Sequence, residues 1–129
     1  MKNLSLSVLP DRFGICRVSQ EEPIPKLLTQ TCFWSITSTE DGLSIVLPEK
    51  NIPVHWKAER GWRCLKINDR LDFEITGILA SLAVPLANAG ISIFAISAYQ
   101  TDYIMIKESN LEKAKQTLEA DGHFVEGCI

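Results

Sequence analysis

The sequence predicts an α+β protein made of two tandem ferredoxin-like (βαββαβ) modules, residues 1–60 and 61–129, with the first module shortened. Three observations carry that expectation. Runs of alternating apolar and polar residues mark strands, two longer runs at helical spacing separate them, and the strand–knot–strand pattern occurs twice.

Taken in order, "MKNLSLSVLP" alternates and reads as a first strand; its lack of an unbroken apolar core argues against a signal peptide. "PIPKLLTQ" (Pro23–Gln30) and "VHWKAER" (Val54–Arg60) each allow only a short helical turn, and the module boundary falls near Glu59–Gly61. "WRCLKIN" (Trp62–Asn68) alternates as a strand. After "LDFEITG", Ile78, Leu79, Leu82, Leu86 and Ala89 recur at helical spacing with Gly90 as the stop. Pro85 lacks an N–H and is expected to kink that helix. "ISIFAISAY" (Ile91–Tyr99) and "DYIMIKE" (Asp102–Glu108) form a strand pair. Ser109-x-x-Glu112 reads as a capping box for a helix that buries Leu111, Ala114 and Leu118 and ends at Gly122. A short last strand, "HFVE", completes β-α-β-β-α-β.

Shifted by sixty positions, Cys32–Glu49 falls on Ser92–Ser109: Trp34 on Phe94, Ile36 on Ile96, Thr37 on Ser97, Leu43 on Tyr103 and Ile45 on Met105. The repeated element is a polar knot between two apolar strands, Ser97–Asp102 in the second copy. Gly42 stands where the second copy has Asp102, and the nearest acids are Glu40 and Asp41.

Composition narrows the function. A hydrophobic share of 46% and a net charge of −3 describe an ordinary globular chain with no basic face for nucleic acid. The longest apolar stretch, Ile75–Ile96, is broken by Pro85, Asn88 and Gly90 and is too irregular for a membrane span, so a cytoplasmic protein is expected. Cys16, Cys32, Cys64 and Cys128 have no paired spacing, so neither a metal site nor any cofactor is expected. His55 and His123 lie in unrelated segments, and no nucleophile–base constellation or phosphate loop occurs, so no enzyme activity is expected.

The stretch "LDFEITGILASLAVPLANAGISIFAISAYQTDYIMIKESNLEKAKQTLEADG" resembles the ACT domain, a small-molecule-binding regulatory module. The whole chain is similar to the tandem ACT modules of cytosolic arginine sensors, more closely over residues 62–121 than over 4–60. The resemblance implies a sensor for a small molecule, an amino acid in the first instance, assembled as a homodimer by side-by-side sheets. It also makes Asp72 a candidate ligand contact.

The residues support such a site physically. Thr76 reads as a helix N-cap, and the N–H groups of Gly77, Ile78 and Leu79 are then open to a carboxylate. The plainer alternative is that Thr76 and Gly77 only shape a tight strand-to-helix turn. Asp102 can hold an ammonium while Ser97 and Thr101 supply neutral hydrogen bonds; otherwise it is a turn aspartate bonded to its own backbone. Tyr99 lines the pocket or plugs it. In the first copy Thr37, Ser38 and Thr39 offer matching hydroxyls, which a ligand held between the modules would face. The competing reading is a structural or protein-interaction domain that has lost its ligand.

Overall fold

The computed structural model describes residues 3–24, 33–69 and 76–127. Asp72, most of Pro23–Gln30, the segment before Thr76, Cys32 and Cys128 lie outside the described residues. The alternating runs become β1 (Ser5–Val18), β2 (Ser35–Thr39), β3 (Gly42–Pro48) and β4 (Lys57–Ile67). Helix α1 (Ile78–Asn88), β5 (Ile93–Ser97), β6 (Asp102–Lys107), α2 (Leu111–Ala120) and β7 (Phe124–Glu126) follow. This is an α+β, ACT-like arrangement of antiparallel hairpins and two helices. No helix among the described residues is long and apolar enough to cross a membrane.

The chain divides into two compact units, Met1–Pro10 with Arg63–Ile129, and Asp11–Trp62. The first ten residues thus belong with the second half of the chain, unlike the sequential division at residue 60. The cause is legible in the strand. Leu4, Leu6 and Val8 alternate onto one face and join the core formed by Leu65, Ile67, Ile104 and Ile106 with the helix residues Leu82, Leu86, Leu111 and Leu118. Burying each of these aliphatic side chains contributes about 1.5–3 kcal/mol.

In this helical unit the strands lie in the order β7-β1-β4-β6-β5. The expected split βαβ pattern is present with one addition: the start of β1 sits beside β7 and pairs with it in parallel, Leu6 opposite Val125. In the Asp11–Trp62 unit the order is β2-β3-β1-β4, around a smaller core of Cys16, Val18, Ile45, Leu47, Ile52 and Trp56.

One backbone pattern occurs twice. A hairpin followed by a single 3-10 turn occurs at Ser35–Asn51 and again at Ile93–Asn110. The two tips differ in length. Thr39 pairs with Gly42 across a two-residue turn, whereas Ser97 pairs with Asp102 across the four residues Ala98–Thr101.

Two local expectations are corrected. Glu108–Asn110 forms a 3-10 turn that carries Ser109 into the helical path, so α2 starts from Asn110 without a side-chain cap bond and the Ser109–Glu112 box does not form. Val54–Arg60 is not helical: Trp56 N–H bonds Pro53 O at 3.0 Å, and β4 begins at Lys57.

His123 also departs from its peripheral appearance in the sequence, because it is 4% exposed. Pro85 cannot donate to the carbonyl four residues back, that of Ser81. His123 Nε2 lies 3.3 Å from this oxygen and replaces the missing donor, while its Nδ1 accepts the Leu4 N–H at 3.0 Å. The pair of bonds fits a neutral ring with its proton on Nε2.

Replacing His123 with Ala should cost about 1–3 kcal/mol, since it strands buried backbone groups. The cost should shrink in a Pro85→Ala background, where residue 85 regains an N–H for Ser81. Urea unfolding of the four proteins of this cycle measures the coupling; strict additivity would sink the account.

Candidate functional site

The knot is held by one hydroxyl. The Ala98 N–H closes the turn onto Thr101 O at 3.0 Å. Thr101 is buried and its Oγ1 donates to Ile67 O at 2.8 Å, with Asp69 O at 3.3 Å. The knot is thereby fixed against the C-terminal end of β4. Thr101 is a structural anchor, its hydroxyl proton committed to backbone.

The start of α1 lies at this same end of the helical unit. β5 begins at Ile93, opposite Ile106, and ends at Ser97, opposite Asp102. Only Ala89–Ser92 separate α1 from β5, and the 11 residues of α1 rise about 16 Å, close to the length of β5. A helix returning along the sheet therefore has its N-terminus at the Ser97–Asp102 end. Gly77, not Thr76, is the N-cap. Its φ of 75° is a left-handed conformation that favours glycine, and its carbonyl takes the first helical bond from Ser81 N–H at 2.9 Å. Thr76 is exposed, and no side-chain cap bond closes this helix end. Ile78 is buried, so its backbone N–H and not its side chain is what this end offers a ligand.

The strand period assigns the knot residues to faces. Asp102 has the parity of Ile104 and Ile106, which pack in the helix-side core, and it is half-buried. Tyr103 has the opposite parity. On its side a cleft of about 370 Å³ is lined by Lys66, Asn68 and Asp69 from the end of β4 and by Tyr99, Thr101 and Tyr103. That volume lies within the ~300–1,000 Å³ range of small-molecule sites. Its β4 side is well ordered by polar contacts: Ser5 N–H donates to Asp69 Oδ1 at 2.9 Å, and Asn68 Nδ2 donates to Ser7 Oγ at 2.8 Å. Tyr99 is 78% exposed and so does not plug a pocket. Ser97 is exposed beside Asp102.

The structure therefore brings Ser97, Tyr99, Thr101 and Asp102 together, with Gly77 and Ile78 at the same end of the unit. Thr37, Ser38 and Thr39 lie in the other unit, exposed along β2. There Ser38 Oγ is 3.5 Å from Gln20 Nε2, and Thr39 Oγ1 accepts the Asp41 N–H at 3.1 Å. Sequence reasoning missed Lys66, Asn68, Asp69 and Tyr103, although "KIND" directly after an alternating strand was the available signal. Among the described residues no group of His, Cys, Asp and Glu is placed to hold a metal ion.

Burial controls the titration behind the knot. Cys64 is fully buried, and desolvation pushes its thiol from 9.0 up to about 12. Desolvation also raises Tyr103, with a further push from Cys64.

Thr101→Val should cost about 1–3 kcal/mol, because the carbonyls at the end of β4 lose their donor. Amide exchange at Ala98–Asp102 should accelerate more than exchange in α2, and uniform acceleration would contradict the anchoring role. Alkali gives an independent check. Below the ordinary thiol value of 9.0 Cys64 is neutral in folded and unfolded chains alike; above it the unfolded chain ionises first, up to about 12. Stability should therefore fall as pH rises through that window. The urea midpoint should fall less steeply with pH in Cys64→Ala, and unchanged slopes would contradict the burial account.

An ACT-domain family model matches residues 57–120, and a second model, of an N-terminal domain, matches residues 11–55. The chain is 29% identical over 136 residues to the mouse (Mus musculus) "Cytosolic arginine sensor for mTORC1 subunit 1", covering 89% of this chain and 41% of that protein. It thus spans about two fifths of the length of the curated relatives it matches first. A crystal structure of an Agobacterium tumefaciens protein superposes with a TM-score of 0.90 at 35% identity, over 98% of this chain and 94% of that one. The regulatory subunit of aspartate kinase from Thermus thermophilus shares the fold, with a TM-score of 0.63 at 10% identity over 91% of this chain and 96% of its own. The matched segment contains β4, α1, β5, β6 and α2, the elements that build the knot, and residues 57–120 of the chain belong to the ACT domain family.

Proposed function

We propose that the protein is a regulatory module that binds an amino acid and has no catalytic activity of its own. The observation that carries this reading is the convergence at one end of the helical unit: an α1 N-terminus without a side-chain cap and the half-buried Asp102 on the helix-side face. The first N–H groups of α1 donate to the ligand carboxylate, and Asp102 meets its ammonium. Ser97 supplies a neutral bond at the rim, and Asp72, which lies outside the described residues, is a further proposed contact.

The relatives support the same class, being named as an arginine sensor and as a regulatory subunit of an amino-acid kinase. We read the Asp11–Trp62 unit as a shortened second ACT module, on the recurrence of hairpin and 3-10 turn. Thr37–Thr39 would then stand at the place matching Ser97. A cytoplasmic homodimer, joined by sheet edges, completes the proposal. Ligand binding acts by shifting the packing of modules or subunits.

A second reading, an interaction domain that has lost its ligand, draws on Gly42, which supplies no charge where Asp102 stands in the other copy. Calorimetry with the twenty amino acids separates the two. One of them should release heat, and Asp102→Asn should weaken its binding about ten- to a hundredfold, as loss of a charge-assisted bond does. Silence from all twenty would favour the interaction domain.

A further inference from the structure

The helical unit's knot cleft has a counterpart in the Asp11–Trp62 unit. β1 ends in Arg17-Val18 and runs into Ser19-Gln20; β4 ends in Lys66-Ile67 and runs into Asn68-Asp69. Each strand thus finishes as a cation, a buried β-branched residue and two polar side chains. Each finish lies beside the tip of its own unit's hairpin. Val18 pairs with Leu43, next to Gly42, and Ile67 O takes the hydroxyl of Thr101. One side chain tethers each tip: Thr101 bonds the strand's carbonyls, and in the other unit Gln20 Nε2 donates to Thr39 O. In both places the result is a cleft, here about 490 Å³ against 370 Å³ at the knot.

The two clefts differ in chemistry. Aromatic rings line the knot cleft, whereas the second carries charge of both signs. Arg17 and Lys57 come from β1 and β4, neighbours in the sheet of this unit. Glu40 and Asp41 come from the hairpin turn, and Glu21 from the turn after β1. Among the described residues none of these five side chains is tied up in an ion pair.

Gly42 explains where the negative charge sits. Its φ is +121°, and a Cβ there would meet Val18 O at 2.9 Å. No aspartate fits in register with Asp102, so the carboxylates stand on the two preceding positions, where they line the cleft.

We propose that this cleft is a second small-molecule site, one that takes a zwitterion of net positive charge: an α-amino acid with a basic side chain. Its carboxylate lies toward Arg17 and Lys57, and its cationic groups toward Glu21, Glu40 and Asp41. Two cations against three carboxylates leave one negative charge, which such a ligand neutralises. The charges are solvent-exposed, so binding is weak and salt-sensitive. The site is separate from the one at Asp102 and does not depend on it.

Amide-resolved NMR titration of the full chain with L-arginine, carried out in an Asp102→Ala background, tests this. The amides of Val18, Asp41 and Gly42 should shift and saturate, and agmatine, which lacks the carboxylate, should not saturate them. Arg17→Gln and Glu40→Gln should each weaken the response about two- to fivefold, the worth of one exposed charge pair. Arg17→Lys should retain most of it, which keeps loss of charge distinct from loss of fold. Absence of shifts at these amides, an equal response to agmatine, or indifference to both charge-removing variants would each overturn the second site. None of those results bears on binding at Asp102, which is read in the wild-type background.

Discussion

The helical unit depends on a carbonyl that its own helix cannot satisfy. Pro85 removes the donor for Ser81 O, and a buried unpaired carbonyl of this kind costs about 1–3 kcal/mol. His123 supplies the replacement from the turn after α2, and its other nitrogen holds the Leu4 N–H. One ring therefore ties the first turns of α1 to the start of β1. That tie also explains why the first ten residues pack with the second half of the chain. β1 is anchored at Leu4 by His123 and at Ser5 by Asp69, and Leu4 O in turn accepts the Phe124 N–H at 2.8 Å.

Fixing α1 in this way fixes its N-terminus, and with it the site. The second constraint acts from the other side, where Thr101 clamps the four-residue tip onto the end of β4. The two constraints converge, one setting where the helix begins and the other setting where Asp102 enters β6. Neither involves a charged group, so the geometry does not depend on the ionisation of the carboxylate it presents. That is a suitable foundation for the proposed binding site: the carboxylate is positioned by groups other than itself.

The period-two runs and the two hairpins were readable because strands and tips are local, written within about ten residues of each other. The hairpin–turn unit, both helices and the knot follow from that local pattern. Gly77 as N-cap was harder. Sequence favours Thr76, whose hydroxyl is a good cap, but the chain enters α1 through a left-handed residue, and only the backbone angle reveals it. His123 was illegible for a different reason: its partners are 119 and 42 positions away, so no window around it carries the signal. The same distance hid the membership of Leu4–Val8 in the helical core. Thr101 was legible as part of the knot, but its anchoring role was not. Its hydroxyl faces a strand end that the sequence places thirty-odd residues earlier.

Gly42 connects these observations. The two hairpins share a pattern of residues, and the steric limits at each tip differ. In the helical unit a four-residue tip lets Asp102 open β6 with an ordinary backbone. In the other unit the tip has only two residues, and Thr39 pairs directly with Gly42. That tighter turn brings residue 42 within 2.9 Å of contact between its would-be Cβ and Val18 O, and it demands a positive φ. Loop length thus decides which position can carry the acid. Strands that stay paired as far as Thr39 and Gly42 exclude the carboxylate from the strand and leave it in the turn, where it faces solvent and the cations of β1 and β4. The chemical difference between the two tips therefore follows from a backbone difference, and an aspartate at position 42 would require the Thr39–Gly42 end of the hairpin to open first.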